Sequence, residues 1–551
     1  MQYFAHQLFA TWRSPSMDAV FMTMFDAVRN SIQVLKIICR YSSDGRRLLR
    51  TVHAAQDYLI QLWLMIGRMP GDRKIEAISP VLKTYHIMGT LRSSLATVAA
   101  AVLDDRSLLP SLIRLAGGAT ILVPMALKYV RRMAKELQSL SSSLSDHNSQ
   151  PQGDREYEYT ISLATGFSHA IEFILLISET SSSCRELLLS MGSMQAVATT
   201  ISCAWPKFVS DSIHKYPTRE ISRVELVERR GLMRMAFRYV NFVLHHADNS
   251  VSALGEALKS DLLESILRAI NIPSHNYGME QPLREPALET LFILPQFFGS
   301  VTIMKRLQCR QELLWTGTDS FVDPVLGSRW HAVASVALPL LKLQLKENTH
   351  CKPFFAKKCK APDCPNVTDD FDASSHPSYR CSACTVAHYC SRRCQVSDWE
   401  DHTFWCSCLQ AALGCMDSRD MRRSLPLLAT LEDFYCSHEK HREGIQKLTS
   451  TAREKHPDLD LVLLVDARVF PVEFDVITTQ QASQLGVLRG LPPSLLTAFH
   501  MADDRMGSEP VIRILRLKYG QKCWDLFSPG FTLRGGFDAR FMPLRRAHET
   551  R

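Results

Sequence analysis

Long uncharged apolar runs, phosphate-cradling glycine turns and a basic, apolar leader are all missing from this 551-residue chain. The most apolar uncharged stretch of the first half, Leu115 to Leu127, contains Gly117, Gly118 and Pro124. It is too short to cross a bilayer, which takes about 20 apolar residues. The longer run from Leu188 to Pro206 is diluted by Ser, Gln and Thr. We therefore expect no membrane span and no membrane partner. The opening MQYFAHQLFATW lacks the charged and apolar regions of a secretory signal. That leads us to expect a reduced intracellular setting, cytoplasmic or nuclear.

Catalytic patterns are missing as well. No Walker sequence is present, and Gly166-Phe167-Ser168-His169-Ala170 lacks the second glycine of a nucleophile elbow. His438-Glu439-Lys440-His441 sets its histidines three apart, whereas a helical zinc-protease motif needs four with two residues after the Glu. It reads as a solvated helix face. We expect no catalytic residue, no organic cofactor and no enzyme.

Helix-forming apolar residues are abundant instead. With 46% apolar and 22% charged residues, the chain has the composition of an ordinary folded protein. Its length suits about two to four domains. Residues 1 to about 345 carry Leu, Ile, Ala and Met at three- and four-residue spacing, which predicts an all-helical region. The Ser-rich stretch Ser139 to Arg155 and the segment holding Pro273, Gly278, Pro282 and Pro286 are expected as exposed loops. Stretches starting at Ser42, Leu108, Ser181 and Val251 share a leucine-rich helix start and a small-residue turn. Their spacing exceeds one armadillo or HEAT unit of about 40 to 47 residues. The third, with Gly192 at its turn, is similar to an armadillo unit, so an irregular armadillo-like stack and another all-helical arrangement both fit.

Ten of the sixteen cysteines fall between Cys351 and Cys415. Among them, and with one histidine, Cys359/Cys364, Cys381/Cys384, Cys390/Cys394 and His402/Cys406 form four close pairs. These are enough thiolate and imidazole ligands for two closed tetrahedral zinc sites. No position is left for water or substrate, so the metal chemistry is structural. A disulfide framework suits a short secreted chain. A RING-type arrangement would recruit His388, while His376 reads as solvated. Cys351, Cys408 and Cys415 lie outside the pairs. Cys39, Cys184, Cys203, Cys309, Cys436 and Cys523 read as reduced, buried thiols.

The run Tyr389-Cys390-Ser391 to Cys394-Gln395, followed by Trp399, His402 and Cys406, resembles the MYND-type zinc finger over residues 359–406. That resemblance implies two structural zinc ions. Cys359, Cys364, Cys390 and Cys394 would hold one, and Cys381, Cys384, His402 and Cys406 the other. The first pair departs from the usual form, with four residues, Lys-Ala-Pro-Asp, inside it. The resemblance further implies that Gln395 and Trp399, on one face of a short helix beginning near Cys394, line a shallow groove for a Pro- and Leu-containing peptide. Trp399 closing the finger's small core is the alternative. Some proteins with such fingers are lysine methyltransferases whose finger interrupts a SET domain near the N-terminus. Here the finger lies late in the chain and no Asn-His-Ser-Cys-like motif flanks it.

Beyond the finger, residues 410–551 read as a small α+β region. Ser424 to Leu448 is helical in pattern, and Leu459 to Asp466, Pro471 to Thr478 and the runs either side of Gly520 are strand-like. Residues 511–551 hold nine Lys or Arg against three Asp or Glu, six of the chain's net +8. Arg513, Arg516, Lys518 and Lys522 interleave with Tyr519, Trp524 and Phe527, a pattern that fits either a half-exposed strand or a nucleic-acid contact. The finger itself balances seven basic against seven acidic residues, a poor phosphate binder once its thiolates are counted. The expectation is thus a mainly α chain: helical 1–345, finger 359–406, α+β 410–551. Functionally it reads as an intracellular zinc-binding adaptor that contacts other proteins through the finger and the helical region. A nucleic-acid-associated factor using the basic tail is the alternative.

Overall fold

The computed structural model describes residues 109–143, 154–204, 223–270, 281–314, 324–350, 379–382, 388–399, 439–485, 512–519, 522–529 and 542–547, with scattered residues between, among them Cys364, His402 and Cys406. The chain divides into two compact units, one of residues 1–290 and 319–327, the other of 291–318 and 328–551. The fold is mainly α, with a small cysteine-rich finger and an α+β region at the end.

The first unit is helical throughout its described residues. It runs through α1 (Leu109–Leu115), α2 (Ala119–Ser143), α3 (Asp154–Thr180), α4 (Ser182–Ser190), α5 (Ser193–Ala204), α6 (Arg223–His246), α7 (Ser250–Lys259) and α8 (Leu262–Ile270), and ends within α9 (Gln281–Ile293). Ser181 starts α4 by accepting the Cys184 N–H at 3.3 Å. The expected turn at Gly192 is there, at φ 77°, a left-handed conformation that costs glycine nothing and lets α5 fold back directly. α5 then packs on α2, α6, α7 and α8, with Met194, Val197 and Ile201 buried. Such interdigitated apolar faces hold helices of this length together, since propensity alone does not.

Several buried polar groups in this unit pair between helices. The Tyr239 hydroxyl donates to Ser193 Oγ at 2.8 Å, and burial pushes its pKa up to about 12. Asn241 on α6 donates to the Pro286 carbonyl at 2.8 Å and to Glu289 at 2.9 Å, and accepts from Thr290 at 2.7 Å. Two expected loops are shorter than their composition suggests. Helix α2 runs on to Ser143 and α3 already begins at Asp154. Pro282 and Pro286 sit inside α9, Pro282 in its first turn, where no amide proton is needed. Pro273 and Gly278 lie outside the described residues.

The second unit takes in helical segments that composition alone assigns to the N-terminal region. A 3₁₀ turn (Leu294–Phe297) leads to α10 (Val301–Gln308) and α11 (Gln311–Leu314), and α12 runs Pro324–His350. Phe297 stacks on Tyr519 with centroids 5.3 Å apart, and Val301 N–H donates to Ser424 Oγ at 3.1 Å. Gly299 sits so tightly that a Cβ there would strike Leu428 and come within 2.7 Å of the Tyr519 hydroxyl. Segments far apart in sequence therefore pack as one body, and the helical stretch 1–345 is shared between two units.

After the finger, with its ribbon β1 (Tyr379–Arg380) and β2 (His388–Tyr389) and its helix α13 (Arg392–Ser397), comes α14 (Glu439–Lys455). There follow β3 (Leu461–Asp466), β4 (Glu473–Thr478), α15 (Thr479–Gln484), β5 (Ile512–Tyr519), β6 (Lys522–Pro529) and β7 (Met542–Ala547). The five strands order as β4-β3-β5-β6-β7, with β3 and β5 parallel and every other pair antiparallel. Leu461 to Val465 are all buried, the mark of a strand covered on both faces. Register places Asp466 beside Arg516, Arg516 beside Asp525, and Asp525 beside Arg545. Of the interleaved cations, Arg516 thus lies at a register position between two acidic residues. His441 is not on a bare face as expected, because its ring packs 5.0 Å from Phe474.

Candidate metal centre

A six-residue helix organises the finger. Ser391 caps α13 by accepting the Cys394 N–H at 3.2 Å, which fixes the helical turn joining Cys390 to Cys394. Their sulfurs lie 3.6 Å apart, and Cys364 brings a third to 3.4 Å from Cys390. A second group forms from Cys381, His402 and Cys406, with the two sulfurs 3.7 Å apart. The ligand atoms of each group all fall within 4.8 Å of one another.

These separations identify the chemistry. A disulfide needs sulfurs about 2.05 Å apart, and none of these cysteines is disulfide-bonded. Four thiolates around zinc at about 2.3 Å have tetrahedral edges of about 3.8 Å, close to what the sulfurs adopt. Cys364, Cys381, Cys394, His402 and Cys406 are buried and Cys390 is half-buried, so the donors face inward. The donor set fits zinc. The structure groups Cys390 and Cys394 with Cys364, and His402 and Cys406 with Cys381, the order that the resemblance implies. Cys359, Cys384, His376, Cys351, Cys408 and Cys415 lie outside the described residues. The His388 backbone belongs to the ribbon, opposite Arg380.

A buried polar shell supports the second group. Tyr389 is fully buried and its hydroxyl donates to Asp398 Oδ2 at 2.7 Å. The Asp398 carbonyl accepts the His402 N–H at 2.7 Å, and the Tyr389 ring meets the imidazole edge-on at 5.9 Å. Burial lowers the His402 pKa against the opposing pull of Asp398, favouring the neutral imidazole that binds metal. The sequence reading missed the roles of Tyr389 and Asp398 here. Their one signal was position, Tyr389 directly before Cys390 and Asp398 four residues after Cys394.

Three large apolar side chains of the finger are exposed. Trp399 is 47% exposed, Val396 68% and Tyr379 48%, while Gln395 is half-buried. The expected single helix carrying Gln395 and Trp399 is not formed. α13 begins at Arg392, ahead of Cys394, because Ser391 caps it, and it ends at Ser397 with Asp398 as its cap. Trp399 opens the next helical stretch, leaning toward His402 with ring centroids 6.1 Å apart.

Comparison with known proteins agrees with this geometry. Residues 357–406 match the MYND finger family, so this segment is a MYND-type zinc finger. Mouse (Mus musculus) histone-lysine N-methyltransferase SMYD3 is 27% identical over 151 residues, 22% of this chain and 35% of that one. The SET domain and MYND-type zinc finger protein 6 of Schizosaccharomyces pombe is 52% identical over 33 residues, 6% of this chain and 7% of that one. The chain thus spans about a third of the first relative's length and under a tenth of the second's. No solved structure matches the chain.

Proposed function

We propose that this protein is a non-enzymatic intracellular adaptor whose finger, built on two structural zinc ions, captures short Pro-containing segments of other proteins. Cys359, Cys364, Cys390 and Cys394 hold one ion; Cys381, Cys384, His402 and Cys406 hold the other. The observation that carries the reading is the exposed Trp399 indole, three residues after exposed Val396 and four after half-buried Gln395, on a finger in which Tyr389 is fully buried. An exposed indole offers a large apolar face, a Gln amide pairs with peptide backbone, and a proline-rich strand loses little entropy on docking. The helical region offers further surface to partners.

Trp399→Ala tests it. In a groove the change weakens capture of a Pro-Leu peptide at least tenfold and leaves the zinc content unchanged. Loss of zinc together with peptide binding would instead make Trp399 part of the finger's core. The first relative is named as a methyltransferase, and a methyltransferase relative is the second reading. Calorimetry with S-adenosylmethionine is expected to show no saturable heat, and micromolar binding would make the chain an enzyme.

A further inference from the structure

We propose that the peptide this finger captures is acidic, with Arg392 and Arg393 selecting a segment that carries Asp or Glu next to its apolar residues. The inference rests on the peptide-capture reading above and adds the partner's charge. α13 turns Cys394 inward, and Asp398 at its cap is buried too. Arg392 and Arg393 are both exposed and stand four and three residues before Val396, the two spacings at which helix side chains become neighbours. Val396 is the most exposed large apolar side chain among the described residues, at 68%.

Two cations thus flank the apolar patch, and among the described residues neither meets a carboxylate. The nearest acid of the helix, Asp398, is buried and engaged by the Tyr389 hydroxyl. A surface that recognised Pro and Leu alone would gain nothing from paired guanidinium groups at its edge. A planar guanidinium accommodates a carboxylate through two parallel N–H donors. The chemistry selected is therefore a side-chain carboxylate.

The test uses the zinc-loaded full chain and three synthetic peptides with one Pro-Leu core, flanked by Asp and Glu, by Asn and Gln, or by Lys. Fluorescence anisotropy is expected to give the acidic peptide about five- to tenfold tighter binding than the amide version. That gap should collapse in 0.5 M salt, where charge is screened within about 4 Å. Arg392→Glu with Arg393→Glu should reverse the order, so that the Lys peptide binds best at unchanged zinc content. If the charge reversal lost zinc, Arg392→Gln with Arg393→Gln would be measured in its place and should equalise the three peptides. Equal affinities for the three peptides on the unmutated chain, or an acidic preference surviving both double variants, would overturn the proposal while leaving peptide capture intact. Failure of all three to bind would remove the capture reading itself and this one with it.

Discussion

Tyr389 contributes more to the finger than its place beside a ligand suggests. Its fully buried ring supplies apolar volume that a module this small otherwise lacks, and its hydroxyl holds Asp398, whose carbonyl in turn receives the His402 amide. Partners one bond removed from a metal ligand fix the ligand's orientation. Tyr389→Phe leaves the volume and deletes the hydrogen bond, so zinc affinity should fall about tenfold with the fold retained. Competition with a chromophoric chelator measures it, and an unchanged affinity would contradict the supporting role. At this scale the six donors that come together were legible, because thiol and imidazole pairs at such short spacing serve few purposes besides holding metal. The shell was not, since Tyr389 and Asp398 lie nine residues apart and meet only once the ribbon and helix are in place.

Among the elements, the β3 terminus shows how local charge is tied to sheet stability. Burial alone would raise the Asp466 carboxyl, but the Arg468 side chain and backbone N–H, with Arg516 alongside, hold it below the usual carboxylate range. Arg468 donates through Nε to Oδ1 at 2.9 Å and through Nη2 to Oδ2 at 2.6 Å. A depressed folded-state pKa adds stability at pH values above the unfolded-state value of about 4. That stability fades as pH falls through the lower folded value. Asp466→Asn should cost about 1 to 2 kcal/mol at neutral pH, with the difference from the unmutated chain vanishing in strong acid. Denaturant unfolding of the second unit across that range checks it, and a pH-independent difference would contradict the assignment. The strands β3 to β6 were readable from apolar runs and alternation. β7 was not, because Met542–Ala547 carries Pro543 and two adjacent arginines and has no alternation to read. The ends of α2 and α3 were misjudged for the opposite reason, since serine-rich sequence reads as loop whatever the neighbouring helix imposes.

Over the whole molecule, composition divides the chain at the finger, whereas packing divides it near Thr290. The difference lies in contacts such as Phe297 on Tyr519 and Gly299 against Leu428, pairs separated by well over a hundred residues that no local pattern announces. In the same sheet Arg516 stands at a register position between Asp466 and Asp525. On the proposed reading, function depends on metal, as ligation supplies the folding free energy a small module cannot draw from its core. The direct measurement is the zinc dependence of peptide binding, with bound metal and affinity for a Pro-Leu peptide followed together as a chelator is added to the full chain. Two zinc equivalents should be released per chain, with peptide binding lost in step and the circular dichroism of the helices retained. Peptide binding that persists after the last ion has gone, or a chain that never held two, would contradict the metal-dependent adaptor.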